Sequence, residues 1–84
     1  MLKTNILVVE DESIVSKDIQ HSLSHLAYHV VGAASNGTKA IELVRSELPD
    51  VVLMDIMLKG DMNGIETAEN GLYNGTYTYN YAIL

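Results

Sequence analysis

Residues 6–12, ILVVEDE, place four branched aliphatic side chains directly before three acids. A short apolar run of this composition, bounded by charge, is typical of a strand that is buried on both faces of a sheet. The acids stand where that strand ends. The stretch therefore predicts a buried parallel strand with carboxylates at its carboxyl end.

A second run of the same kind, VVLM at residues 51–54, also ends in an acid, Asp55. Residues 29–34 contain Val30 and Val31 and predict a shorter strand between the two. A segment with helical periodicity separates each strand from the next. The alternation of strands and helices predicts an α/β fold with a parallel sheet and right-handed crossovers.

Two amphipathic helices are expected in those segments, and a third starts at Ile65. The first opens at Glu12 or Ser13 and runs to about Ala27. Its apolar residues recur at steps of four, four and three: Val15, Ile19, Leu23 and Leu26. The apolar face of the second is formed by Ala40, Ile41, Val44 and Leu48. Pro49 stops that second helix, because proline cannot continue it.

Glu10, Asp11 and Asp55 are expected to meet outside the carboxyl ends of two neighbouring strands, where open α/β sheets bind ligands. Three close carboxylates repel one another unless a cation lies among them, and Mg²⁺ prefers such oxygen ligands. Asp55, held at a strand end, can act as a nucleophile toward a phosphoryl group. The alternative is that these acids only cap helices or face water, which we prefer for Glu12.

The bulk composition narrows the classes of function. The 84 residues allow one small domain, and 48% hydrophobic residues argue against general disorder. Five basic and 11 acidic residues give a formal charge of −6, which disfavours direct binding of nucleic acid. No cysteine, no signal peptide and no apolar stretch of membrane-spanning length are present, so we expect a cytoplasmic chain.

The composition changes after Glu69. Residues 70–84 hold four of the five tyrosines and no charged side chain, and they do not continue the helix before them. Alternation of Tyr77, Tyr79 and Tyr81 predicts a strand, and the Asn74–Gly75 pair predicts a hairpin turn. An exposed third strand invites pairing. We therefore expect this tail to pair beside the third strand, or two chains to form a homodimer there, or both.

Taken together, four parts of the chain resemble the receiver domain of two-component response regulators. They are ILVVEDE at residues 6–12, VVLMDIML at 51–58, Gly60, and NGIE at 63–66. The Asn36–Gly37 turn is similar to the entry of that family's second helix. The resemblance runs from about Lys3 to Glu69, so residues 1–69 are expected to be a truncated receiver and residues 70–84 a tail foreign to the family.

The resemblance implies a truncated flavodoxin-like, CheY-like fold and a role for individual residues. Asp55 would be the phosphoryl acceptor, charged by a sensor histidine kinase. Glu10, Asp11, Asp55 and the backbone carbonyl of Met57 would hold Mg²⁺. The family's later Ser or Thr and its Lys, which sense the phosphoryl group, have no counterpart after Glu69. Lys59 stands where the family usually has proline.

Three functions follow from these features. The first is a phosphoacceptor that is not an enzyme acting on other substrates. The second is an interaction or dimerisation module that retains a vestigial acidic pocket. The third is a small phosphatase with Asp55 as nucleophile, which is disfavoured because Met57 stands where a general acid is needed. His21 and His25 share a helix spacing that can chelate a metal, but their polar neighbours favour a solvated face.

Overall fold

The computed structural model describes residues 3–55, 57–58, 60, 62–69 and 80–83, the last four by their backbone alone. These residues form seven elements: β1 Asn5–Val9, α1 Ser13–His25, β2 His29–Ala34, α2 Gly37–Glu47, β3 Val51–Met54, α3 Gly64–Thr67 and β4 Asn80–Ile83. The predicted alternation of strands and helices is confirmed. Among the described residues, no helix is long and apolar enough to cross a membrane.

The sheet has the strand order β2-β1-β3-β4, and every neighbouring pair is parallel. β1 lies between β2 and β3, with Val9 opposite both Ala34 and Met54. The three strands therefore end at the same edge of the sheet. This register places the residues that follow β1 and β3 side by side.

β4 comes from the tyrosine-rich tail and pairs in parallel with β3, with Ile83 opposite Met54. Of the outcomes predicted for the tail, pairing beside the third strand is the one that the structure shows, for residues 80–83. The predicted turn at Asn74–Gly75 lies outside the described residues, and so do Tyr77 and Tyr79 of the predicted strand. The division of the chain at Glu69 stays a prediction, although residues on both sides of it contribute to one sheet.

The larger hydrophobic core lies on the face of the sheet that α2 covers. Its members come from β1, β2, β3, α2 and the segment around α3: Leu7, Val9, Ala34, Ala40, Val44, Val52, Met54, Leu58 and Ala68. Because side chains alternate along a strand, Ile6 and Val8 face the opposite side, where α1 contacts β1 and β2. Both residues are buried there.

The predicted buried face of α1 is only partly correct. Val15 is 38% exposed and Leu26, which lies just past the helix, is 69% exposed. The buried side is rotated toward Ser16, whose hydroxyl oxygen accepts a hydrogen bond from the Gln20 side-chain amide at 3.0 Å. Burial of this pair costs little because each polar group satisfies the other. Packing against β1 and β2 sets the rotation, which helical periodicity alone did not reveal.

The helices end and begin close to the predicted residues. α1 ends at His25 rather than Ala27, because Ala27 has a φ of 67° and turns the chain out of the helix. Leu48 also has a positive φ, 48°, and closes α2 one residue before Pro49. α3 starts at Gly64, one residue before the predicted start, behind an Asn63 cap.

Candidate functional site

The carboxyl edge of the sheet presents acids from two adjacent strands. Glu10 follows β1, and its backbone N–H donates to the Ala34 carbonyl at 3.0 Å. Asp55 follows β3, and its N–H donates to the Val9 carbonyl at 3.0 Å. The ladder therefore continues one residue past each strand and holds both acids by main-chain hydrogen bonds at the same edge.

The structure brings together the three acids that the sequence singled out. Ligand oxygens of Glu10, Asp11 and Asp55 all lie within 4.8 Å of one another. Glu10 is buried, and the other two are half-buried. Glu12 stands outside the cluster as the exposed residue before α1, which agrees with the lesser role expected for it.

Two main-chain amides orient the cluster. The Glu12 N–H donates to Oε2 of Glu10 at 3.0 Å, and the Met57 N–H donates to Oδ1 of Asp55 at 2.9 Å. Each contact holds one carboxylate in a set rotamer. The Met57 side chain itself is 76% exposed. The role of its carbonyl as a metal ligand stays a prediction.

The pKa of Glu10 reflects the charges and hydrogen bonds of the cluster. The Glu12 N–H stabilises the carboxylate and lowers the pKa of Glu10. Burial, the hydrogen bonds that a protonated Glu10 carboxyl donates to Asp11 and Asp55, and the negative charge of Asp55 act the other way, and the net effect raises the pKa above its ordinary value. Ionisation of Glu10 is therefore less favourable in this cluster than in water.

The donor set of this pocket fits a hard divalent cation. Three carboxylates supply oxygen ligands only, which suits Mg²⁺ and does not suit thiophilic metals. Lys39 forms an ion pair with Glu42 at 3.6 Å, outside the cluster. A cation at this position would relieve the repulsion that raises the pKa of Glu10.

A groove of about 350 Å³ opens beside the cluster, between the start of α1, the end of β2 and the start of α2. Glu10 and Asp11 line this groove together with Lys17 and Lys39, of which Lys39 shares its charge with Glu42. Sequence reasoning missed both lysines, because neither belongs to a motif and only the fold places them near the acids. They make the approach to the pocket less repulsive for an anion.

Glu10→Gln is expected to stabilise the metal-free protein at pH 7. A carboxyl whose pKa is higher in the folded state than in the unfolded state destabilises the fold once it ionises, so stability falls as pH rises through the raised pKa. The advantage of the Gln variant should therefore vanish when the pH drops below the ordinary range for Glu. Urea unfolding at both pH values measures it.

Glu12→Gln provides the matched control, since it removes the same charge outside the cluster. Its stability should change little between the two pH values. An equal gain from Glu12→Gln would show that net charge, and not the cluster, is responsible. Added Mg²⁺ should reverse the advantage of Glu10→Gln, because the variant removes a ligand from the cation.

Comparison with known proteins yields one consistent family. The sequence profile described as "Response regulator receiver domain" matches residues 6–71. The chain is 43% identical over 56 residues to the probable transcriptional regulator ycf27 of Guillardia theta, covering 67% of this chain and 22% of that protein. It is 34% identical over 61 residues to the chemotaxis protein CheY of Thermotoga maritima, covering 73% of this chain and 50% of that protein.

Solved structures agree with the sequence matches. The solution NMR structure of the receiver domain of the Erythrobacter litoralis response regulator PhyR superposes with a TM-score of 0.82 at 32% identity. That alignment covers 96% of this chain and 61% of the receiver domain. The chain thus spans half or less of the two curated relatives and under two thirds of this structural one.

Proposed function

Since this chain belongs to the response regulator receiver domain family, we propose that it accepts a phosphoryl group on Asp55 in two-component signal transduction. The observation that carries the proposal is the cluster of Glu10, Asp11 and Asp55, with ligand oxygens within 4.8 Å of one another at one sheet edge. An isolated acid at a strand end would not support it. Three acids that share one edge, from two strands, do.

The acceptor step follows from the position of Asp55. A carboxylate oxygen forms a bond to phosphorus while the bond from phosphorus to a histidine nitrogen of the donor breaks, and that nitrogen keeps the electron pair. The donor in this proposal is a sensor histidine kinase. Main-chain hydrogen bonds at the end of β3 and the Met57 N–H hold the Asp55 carboxylate in place, so little orientational freedom is lost on reaction.

The cation in this proposal is Mg²⁺, held by Glu10, Asp11, Asp55 and the Met57 carbonyl. When bound, it neutralises negative charge on the phosphoryl oxygens and on the acids. Asp55 is the group that reacts, whereas Glu10 and Asp11 hold the cation and set the charge of the pocket. Lys17 and Lys39 lie in the adjoining groove, where they favour the approach of an anionic donor.

The proposal extends to the setting of this chain. It is a phosphoacceptor rather than an enzyme with a separate substrate, it works in the cytoplasm, and it makes no direct contact with nucleic acid. Its net charge of −6 is consistent with the last of these.

An interaction module that only retains the pocket is the second candidate. The observation that favours it is exposed apolar surface on and next to α1, where Ile14 is 76% and Leu26 is 69% exposed. The homodimer that the sequence predicts for this candidate, through the sheet edge or the tail, would have to use β4, because β4 occupies the edge of β3.

Beryllofluoride, which mimics a phosphoryl group on a carboxylate, separates the two candidates in the presence of Mg²⁺. The receiver proposal expects binding and a rise of several degrees in Tm, because a ligand held by the folded state alone shifts unfolding by mass action. Absence of any Mg²⁺ affinity would refute that proposal. Light scattering over a dilution series then tests the second candidate, and a monomer at every concentration would count against it.

A further inference from the structure

Two histidines on α1 lie next to each other on the protein surface. His21 and His25 are one helical turn apart, and their Nε2 atoms are separated by 3.0 Å. The ring centroids are 4.6 Å apart with an interplanar angle of 62°. Both side chains are exposed. Among the described residues, each ring makes its hydrogen bond and its aromatic contact with the other ring.

We propose that His21 and His25 form a surface site for a divalent first-row transition-metal ion. Metal–imidazole bonds are about 2.0–2.1 Å long. Two nitrogens 3.0 Å apart at that bond length subtend an angle of about 90° at the metal, so they fit adjacent positions of a tetragonal or octahedral ion. Water completes the coordination. This geometry and the usual order of affinities favour Cu²⁺ over Ni²⁺ and Zn²⁺.

The site differs in chemistry and in place from the acidic cluster. Imidazole nitrogens suit copper, nickel and zinc, whereas carboxylate oxygens suit magnesium. His21 stands eight residues after Ser13, the first residue of α1, which is about 12 Å along the helix axis. The histidine pair and the acidic cluster can therefore be occupied independently.

The same contact exists without a metal as a hydrogen bond from one ring N–H to the other ring nitrogen. A bound ion requires both Nε2 atoms to be unprotonated, so each ring then carries its hydrogen on Nδ1. Both Nδ1 atoms belong to exposed rings that water can reach. When a metal ion replaces the proton shared by the two Nε2 atoms, both Nδ1–H groups can therefore bond to water, and no buried polar group is left unpaired.

An ion held by both rings would join two successive turns of α1. Burial of apolar side chains stabilises this helix only in part, because its Val15 and Ile14 are 38% and 76% exposed. A ligand that binds the helical form and not the unfolded chain stabilises the helix by mass action. Metal binding is therefore expected to raise Tm as well as to change the histidine spectra.

The test is a Cu²⁺ titration of the full chain with excess Mg²⁺ present to occupy the acidic cluster. One ion per chain should bind, with nitrogen hyperfine structure in the electron paramagnetic resonance spectrum and a rise in Tm. His21→Ala or His25→Ala should weaken affinity by at least about tenfold, the loss that even an outer partner of a metal ligand produces. Both positions are exposed and alanine favours helix, so the variants should fold.

His29→Ala is the matched control. His29 belongs to β2 and not to α1, and its Nδ1 lies 3.0 Å from the Asn5 side-chain oxygen, so its replacement should leave Cu²⁺ affinity unchanged. The inference is overturned if the double variant His21→Ala/His25→Ala binds Cu²⁺ as the parent does. An equal loss from His29→Ala would also overturn it, because the ion would then depend on a residue outside the pair as much as on the pair.

Discussion

Asp55→Asn is expected to abolish the gain of one phosphoryl group when the protein is incubated with a small phosphodonor and Mg²⁺. A side-chain amide is not a nucleophile toward phosphorus, and the change also removes one ligand of the cation. The Asn side chain keeps the hydrogen bond from the Met57 N–H through its carbonyl oxygen, so the local fold should survive. Mass measurement of the intact protein reads the result directly.

Two further variants make this result specific. Asp18→Asn removes an exposed carboxylate from α1 and should phosphorylate as the parent does. Asp11→Asn leaves the acceptor in place but removes a cation ligand, so its phosphorylation should need more Mg²⁺. If Asp55→Asn gained the same mass as the parent, another residue would be the acceptor and the proposed role of Asp55 would be wrong.

Gly37→Ala is expected to destabilise the protein by about 1–3 kcal/mol, the usual cost of an overpacked core position. Gly37 is the first residue of α2, is buried, and lies against α3. A Cβ at this position would overlap Oγ1 of Thr67 and approach the Met62 Cβ at 3.3 Å. Thr67 is fully buried, and its hydroxyl donates to the Asn63 carbonyl at 2.7 Å, so it cannot easily move.

Helix propensity alone predicts the opposite sign, because alanine is better than glycine in a helix by about 1 kcal/mol. The sign of the change in urea-unfolding free energy therefore decides between propensity and packing. Gly32→Ala is the control, since its Cβ would meet Leu7 Cδ1 at 3.4 Å and Leu43 Cδ1 at 3.7 Å, which are ordinary contacts.

A double variant tests the stated cause. Thr67→Ala removes the overlapping oxygen, so Gly37→Ala should cost less in the Thr67→Ala background than in the parent. An equal cost in both backgrounds would mean that Thr67 is not the obstacle. A stabilising Gly37→Ala would mean that α2 and α3 are not packed as closely as the structure has them.

The acids were found from the sequence because their signal is local. Each follows an uninterrupted apolar run, and the parallel arrangement of such runs brings their ends to one edge. Glu10, Asp11 and Asp55 could thus be placed together without coordinates, and the structure confirms their proximity. The main-chain N–H of Met57 that holds Asp55 could not be foreseen, because it depends on the path of the loop.

The orientation of α1 was less predictable for a different reason. Apolar residues at steps of four, four and three define an apolar stripe along the helix. They do not show which edge of that stripe packs against the sheet. Contact with β1 and β2 turns Ser16 inward and leaves Val15 partly exposed. The 3.0 Å approach of His21 to His25 likewise depends on side-chain rotamers that spacing alone leaves open.

By itself, the sequence determined the α/β order of the elements, the parallel sheet and the acidic edge. Each of these depends on short apolar runs, which predict a buried strand from local composition alone. Tertiary structure decided the face of α1, the fit of Gly37 against Thr67, the lysines beside the pocket and the register of β4. Those features arise from contacts between residues far apart in the chain, and no local pattern encodes such distances.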